Sequence, residues 1–306
     1  MPDSVNLSIP TSHAGRRLDL SLAELLPDYS RSRIQQWIEA GEVRIDGQPA
    51  SRKQKVWGGE SVALAPTANP AETPYAAEAI ALDIVHEEDA FLVINKPAGL
   101  VVHPGAGNWQ GTLLNALLHH CPALAEVPRA GIVHRLDKDT SGLMVVAKTL
   151  SAQTALVRAL QARTVKRAYW ALALGRFAQP EGEIEAPIGR HPTQRTRMAV
   201  TPAGKPAETA FKLLRQFHDC AWIECHLRSG RTHQIRVHMA HLGHPLLGDP
   251  VYGARKAGPV PFARQALHAF HLGFQHPVSG AALAWSAPMP ADMQTLLDLL
   301  AARDVG

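Results

Sequence analysis

The feature that most constrains this chain is the unbroken apolar run Leu-Met-Val-Val-Ala at residues 143–147. Such a run predicts a strand that is buried on both faces of a sheet. Residues 139–142, Asp-Thr-Ser-Gly, have turn chemistry, so the charged residues just before them are expected on a loop that leads into this strand. Loops held by a rigid strand are common locations for catalytic groups.

Asp137 is the candidate catalytic group of this loop. Residues two apart in an extended segment share a face, so Arg135, Asp137 and Asp139 are expected to point the same way. A neighbouring guanidinium favours the charged form of a carboxylate, and an ionised aspartate can act as a nucleophile. On residue types alone, a surface salt bridge at the start of the strand explains the same residues.

The string His-Arg-Leu-Asp-Lys-Asp-Thr-Ser-Gly-Leu, residues 134–143, resembles the signature of the RluA-type pseudouridine synthases. The string Lys-Pro-Ala-Gly-Leu-Val-Val-His-Pro at residues 96–104 resembles the first motif of that family, and Gly-Arg-Thr-His-Gln-Ile-Arg-Val-His at 230–238 resembles the third. The resemblance covers nearly the whole chain. It implies an RNA-modifying isomerase whose α+β catalytic domain is built on a mixed, mainly antiparallel sheet.

The resemblance also implies residue roles. Asp137 is the nucleophile or base, and Arg231 is expected to pair with it. Tyr169 is expected to pack the uracil and to shuttle a proton, although a tyrosine on a strand is more often a core residue. Arg135 is expected to fill the space that the flipped uridine leaves. The sequence leaves open whether Asp137 attacks the ribose, attacks the base or abstracts a ribose proton, and the reaction needs no cofactor and no metal.

Residues 13–75 are predicted to form a small domain of two helices plus a hairpin. Asp19 can cap the first helix and Ser30 the second, and the Asp46-Gly47 pair is a strong hairpin signal. The pattern resembles the S4 RNA-binding domain, a frequent N-terminal partner in this family. Residues 66–79 are interpreted as a linker, so the catalytic domain is expected to span residues 80–306.

Several arginines are candidate RNA contacts. The formal net charge of +4 and the pI of about 9.1 permit a nucleic-acid partner without establishing one. The candidates are Arg16, Arg17, Arg31 and Arg33 in the N-terminal domain, and Arg190, Arg195 and Arg197 in the basic segment 176–208. That segment is predicted to be irregular and is interpreted as an RNA-gripping hairpin. The alternatives are a solvated charged face and a mobile surface loop.

A helix over residues 233–242 is predicted, with Thr232 as its N-cap and Gly243 as its stop. His238, His241 and His244 do not complete a metal-ligand set, so core packing and RNA contact are the favoured roles of these histidines. The odd number of cysteines, three, indicates reduced thiols. With neither a secretory signal nor a membrane span visible, a cytoplasmic monomer is expected.

The resemblance extends to members that modify large-subunit ribosomal RNA. It implies uridines of the helix 69 stem-loop of 23S ribosomal RNA as the target, in the free RNA or in an assembly intermediate. The alternatives are another ribosomal or transfer RNA site, and a non-catalytic RNA-binding protein that would not need Asp137. A glycoside hydrolase would need a second carboxylate several Å away, and Asp139 on the same loop is a poor candidate.

Overall fold

The computed structural model describes residues 5–27, 29, 31–51, 53–65, 75–105, 107–194, 197–253 and 258–305, with the backbone alone at 32, 33 and 305. The chain forms two compact units, Met1–Pro74 and Tyr75–Gly306. The domain boundary predicted from the sequence lies between residues 75 and 80.

The first unit packs two helices on a small antiparallel sheet. Its elements are β1 (Val5–Ser8), α1 (Leu18–Leu25), α2 (Arg31–Glu39), β2 (Val43–Ile45), β3 (Gln48–Pro49) and β4 (Ser61–Leu64). The strand order is β1-β4-β2-β3. Ile34, Trp37 and Ile38 recur at helical spacing on α2 and are buried against Leu18 and Leu22 of α1. The predicted two helices plus hairpin are confirmed.

Asp19 has a different role from the predicted helix cap. Helix α1 begins at Leu18, after Arg17, and has no side-chain cap at its N-terminus. The Asp19 carboxylate is fully buried and accepts hydrogen bonds from Arg17, Arg31 and Gln35, which join α1 to α2. The predicted second cap, Ser30, lies outside the described residues.

We expect this buried carboxylate to make the N-terminal unit sensitive to acid. Burial raises the pKa of Asp19, but the hydrogen bonds from Gln35, Arg31 and Arg17 outweigh it and hold the pKa below its usual value. The stabilisation is therefore present above the unfolded-state pKa of about 3.9 and is lost as the pH falls through the lower folded-state pKa.

Hydrogen exchange of α1 and α2 amides in the full chain, at pH values between about 5 and 3, measures this effect. Protection in the wild type should fall with pH more steeply than in Asp19→Asn. Parallel pH dependence in the two proteins would contradict the role assigned to Asp19.

The second unit is larger and mixes strands with helices. Its strands are β5 (Ile84–Glu87), β6 (Phe91–Lys96), β7 (Ser141–Ala147), β8 (Lys166–Leu174), β9 (Glu181–Glu185), β10 (Ile188–Arg190), β11 (Met198–Val200), β12 (Glu208–Gln216), β13 (Cys220–Leu227), β14 (Leu267–Gln275) and β15 (Ala282–Ser286). Its α-helices are α3 (Leu113–His120), α4 (Leu150–Gln161), α5 (Gln234–His241) and α6 (Ala291–Val305).

Among the described residues, one sheet of nine strands runs through this unit. The order is β5-β6-β7-β14-β8-β13-β12-β9, with β15 beside β14. Within the described part of this sheet, only the β7–β14 pairing is parallel, which confirms the mixed, mainly antiparallel sheet. Every residue of β7 is buried, as its apolar run predicted. The segment 176–208 is more regular than predicted, because it contains β9 and the β10–β11 hairpin.

Two polar side chains stabilise local structure in this unit. Thr112 caps α3 as a capping box with Asn115. His238 bonds Thr209 and the Ala186 carbonyl, so it has a packing role. Within the described ranges, no cluster of three or more potential ligands could hold a metal ion. No α-helix in that same part of the chain is long and apolar enough to cross a membrane.

Candidate active site

The loop that carries Asp137 is held against strand β7 by two contacts. Ile132 forms an antiparallel bridge with Val146. His134 Nε2 accepts the Val145 N–H at 3.1 Å, which satisfies a backbone donor on this strand. Burial, together with the charge of Arg167, lowers the pKa of His134 to about 3, so the ring is the neutral acceptor that this contact requires.

Two buried cations hold successive carbonyls of the same loop. Lys96, at the end of β6, donates to the Lys138 carbonyl at 2.9 Å, and also to the Pro97 and Leu100 carbonyls. Arg264 donates to the Asp139 carbonyl at 3.0 Å. Because both cations are buried, the backbone beside Asp137 is held from two sides.

Lys96 should give the protein a measurable alkaline pH dependence. Burial lowers its pKa to about 7, against the opposing charges of Asp139 and Asp137. The unfolded lysine titrates near 10.4, so between about pH 7 and pH 10 the unfolded chain holds the extra proton and the group's contribution to stability rises with pH. The unfolding free energy of the wild type relative to Lys96→Met should therefore increase over this window.

Exposed Lys212 on β12 provides the control for this measurement. Wild type and Lys212→Met should keep a constant difference in unfolding free energy over the same pH range. A constant difference for Lys96→Met as well would contradict the lowered pKa.

Asp137 forms its ion pair with Arg236 of α5. Arg236 Nη1 lies 2.9 Å from Asp137 Oδ2, and the same guanidinium donates from Nε and Nη2 to Asp249 at 2.7 and 2.9 Å. The predicted pair with Arg231 is wrong: Arg231 Nε instead donates to the Pro206 carbonyl at 3.1 Å. Asp249 is fully buried, so Arg236 joins a cavity carboxylate to a buried one.

The charges of this cluster support one another. Burial lowers the pKa of Arg236, but the contacts with Asp249 and Asp137 outweigh it and raise the pKa above its ordinary value. Burial raises the pKa of Asp249, while Arg236 and the N–H groups of Tyr252 and Val251 bring it below its usual value. A fixed guanidinium thus orients the Asp137 carboxylate before any substrate arrives.

The start of α5 explains why Arg236 reaches this position. The predicted cap Thr232 is not the N-cap; His233 takes that place, with a left-handed φ of 57° and no side-chain cap. His233 Nε2 lies 3.8 Å from Asp137 Oδ1, and His233 Nδ1 lies 2.9 Å from the Tyr252 hydroxyl. Tyr252 also accepts the Met198 N–H, which connects this cluster to the β10–β11 hairpin.

A cavity of about 580 Å³ opens beside Asp137. Asp137 is the one carboxylate among its described lining residues, and the arginines that share the lining are Arg129, Arg135, Arg163, Arg167, Arg228, Arg231 and Arg236. Tyr169, on β8, also lines the cavity and is 5 % exposed. Burial raises the pKa of Tyr169, so it is a neutral phenol that can pack against a base.

The structure therefore brings Asp137, Tyr169, Arg135 and Arg231 to one cavity, and the remaining candidate arginines lie elsewhere. In the N-terminal unit, Arg16 pairs with Glu24, and Arg17 and Arg31 pair with Asp19. Arg190 ends β10, and Arg197 lies over the Tyr252 ring at 5.3 Å. The Arg33 side chain and Arg195 lie outside the described residues.

Comparison with known proteins identifies the class to which this fold and cavity belong. The family model for RNA pseudouridylate synthase matches residues 90–241, and the S4 domain matches residues 16–62. Among solved structures, human RNA pseudouridylate synthase domain containing 1 aligns with a TM-score of 0.56 and 27% identity, over 74% of this chain and 97% of that one.

Curated relatives are similar over nearly the whole chain. A protein of Nitrosomonas europaea named ribosomal large subunit pseudouridine synthase D is 54% identical over 304 residues, 97% of this chain and 88% of the relative. Proteins with the same name from Neisseria meningitidis serogroup B and Salmonella typhimurium are 53% and 52% identical, over 97% and 96% of this chain and 82% and 94% of theirs. The chain belongs to the RluA-type RNA pseudouridylate synthase family, carries an S4 domain, and is an isomerase.

Proposed function

We propose that this protein converts uridines of large-subunit 23S ribosomal RNA to pseudouridine, and that its target lies in the helix 69 stem-loop. The observation that carries the chemistry is the Asp137 carboxylate, held by Arg236 inside an arginine-lined cavity beside Tyr169. The choice of RNA is supported by relatives of up to 54% identity that are named for the large ribosomal subunit.

The reaction breaks the N1–C1′ bond of uridine, turns the uracil and forms a C5–C1′ bond while C5 gives up its proton. Asp137 acts at the junction of sugar and base, as a nucleophile or as a base. Tyr169 packs the detached uracil within the cavity, and Arg236 keeps the carboxylate in position. Leaving the stack costs the target uridine a few kcal/mol. The exposed Arg135 side chain, with its flat guanidinium, offsets this cost by occupying the vacated space.

Tritium release from 23S ribosomal RNA labelled at uracil C5 tests the proposal, because the reaction must expel that hydrogen. The wild type should release tritium, and Asp137→Asn should lower the rate by roughly 10³-fold or more, the scale on which removal of a nucleophile acts. RNA binding by the variant should be retained. Asp139→Asn, on the same loop, is the matched control and should stay within about tenfold of the wild type.

The positions of the pseudouridines can then be found by sequencing the modified RNA. Modification confined to a ribosomal or transfer RNA site outside helix 69 would overturn the target while keeping the chemistry. Tight binding without release by the wild type would favour a non-catalytic RNA-binding protein. We further infer action in the cytoplasm, where bacterial large-subunit RNA is assembled; the monomeric state stays a prediction.

A further inference from the structure

Arg167, on β8, is a largely buried cation that has no hydrogen-bond or ion-pair partner among the described residues. Its exposed fraction is 9 %, and its Nε makes no hydrogen bond. Among the described residues, neither an ion pair nor a hydrogen bond to its guanidinium is present. Nε is the one guanidinium nitrogen of Arg167 that is both buried and unpaired, so the two terminal nitrogens reach the cavities that Arg167 lines, where an anion can accept from them.

Arg167 also separates two basic cavities. It lines the cavity of Asp137 and a second cavity of about 260 Å³, to which Lys166, His226 and His271 contribute. Arg163 and Arg228 line both cavities as well, but they are paired with Glu208 and Glu183. The unsatisfied guanidinium of Arg167 thus lies where a strand that leaves the catalytic cavity would pass into the second one.

The neighbouring chain leaves room for this guanidinium. Gly230 has no side chain, and a Cβ at that position would lie 2.8 Å from Arg167 Nη1. Along β8, Arg167 and Tyr169 share a face and their Cα atoms are roughly 7 Å apart. A uracil packed on Tyr169 would therefore leave its own backbone close to Arg167.

We propose that Arg167 binds a backbone phosphate of the RNA next to the target uridine and directs the strand from the catalytic cavity into the second one. A planar guanidinium can donate two parallel hydrogen bonds to phosphate oxygens, which suits a buried, fixed site. The assignment rests on the proposed function, since it places the target base against Tyr169.

Binding of an unlabelled 23S fragment to Arg167→Gln, as a function of salt, tests the phosphate contact. The variant should bind roughly tenfold or more weakly, and the slope of log K against log salt should be smaller by about one. Arg167→Lys should keep the wild-type salt slope and recover part of the affinity. Lysine keeps the positive charge but cannot donate the two parallel hydrogen bonds of a guanidinium. Arg215→Gln, an exposed arginine outside both cavities, is the control and should change neither.

A substrate change identifies the group that Arg167 binds. Replacing the phosphates that flank the target uridine with neutral methylphosphonates, one at a time, should weaken wild-type binding at one position and leave Arg167→Gln binding unaffected there. Equal losses in both proteins at every position would overturn the proposal, and so would an unchanged salt slope for Arg167→Gln. A fall in kcat with unchanged affinity would also overturn it and would indicate a purely structural role.

Gly230→Ala provides a variant that keeps Arg167 itself. The added methyl group would meet the terminal nitrogen of the Arg167 side chain and not backbone, so the fold should tolerate it while the guanidinium is displaced. It should reproduce part of the affinity loss and of the reduced salt slope; wild-type values for both would overturn the proposal. Because the affinity and salt-slope measurements use binding alone, absence of tritium release by the wild type would refute the proposed function without altering their result.

Discussion

Replacing Arg236 with alanine is expected to destabilise the protein by about 3–5 kcal/mol and to abolish tritium release. The reason is that one guanidinium serves two carboxylates. Asp249 is fully buried and would remain as a charge without its cationic partner, while Asp137 would lose the contact that orients it. Chemical denaturation measures the first effect and C5 tritium release the second.

Two further variants separate these effects. Arg228→Ala removes an arginine from the exposed pair with Glu183 and should cost no more than about 1 kcal/mol. Arg236→Met combined with Asp249→Asn removes the buried charges together, while the Asn carbonyl can still accept from the N–H groups of Val251 and Tyr252. This double variant should recover most of the stability that Arg236→Ala loses, but it should show no tritium release. Recovery of activity would contradict the role of Arg236 at Asp137.

The sequence was sufficient to find Asp137 but not its partner. The residues around Asp137 are contiguous, and the apolar run that follows them predicted the buried strand. Arg236 lies 99 residues from Asp137 along the chain, and Arg231 occurs in the same short motif. Which of the two reaches Asp137 depends on where α5 begins and on the left-handed backbone of His233, and neither follows from residue types.

The arginines of the N-terminal unit form ion pairs that their clustering in the sequence does not reveal. Clustering of positive charge predicted RNA contact for Arg17 and Arg31, which stays a prediction; the structure shows in addition that both guanidiniums bind the buried carboxylate of Asp19. Composition does not reveal such pairing, because it depends on the packing of α1 against α2. A signal was present in Asp19 itself: a carboxylate in the first turn of an amphipathic helix, among apolar neighbours, needs cationic partners if it is buried. Arg167 gave no comparable signal, since an arginine at the start of a strand is usually solvated.

Gly142→Ala is expected to unfold the catalytic unit or to destabilise it by roughly 3–5 kcal/mol, from backbone strain and overpacking together. Gly142 follows the Asp137 loop and pairs with Ala269 where β7 and β14 run parallel. Its φ is +117°, and a Cβ there would lie 2.2 Å from the Ala269 carbonyl oxygen. Because backbone, and not a flexible side chain, occupies that space, the strands must separate to admit a methyl group.

Gly280→Ala is the matched control for this variant, because Gly280 also has a positive φ, +73°, but a Cβ there meets nothing within 4 Å. It should cost about 1–2 kcal/mol from backbone strain alone. The difference between the two variants, measured by chemical denaturation, therefore reports the close approach of β7 to β14 together with the greater backbone strain at the φ of +117°. Equal losses of unfolding free energy in the two variants would mean that β7 and β14 can move apart at little cost. The position of the Asp137 loop would then not depend on their parallel pairing. A larger loss for Gly142→Ala, with tritium release falling in the fraction that remains folded, would tie the catalytic loop directly to this strand contact.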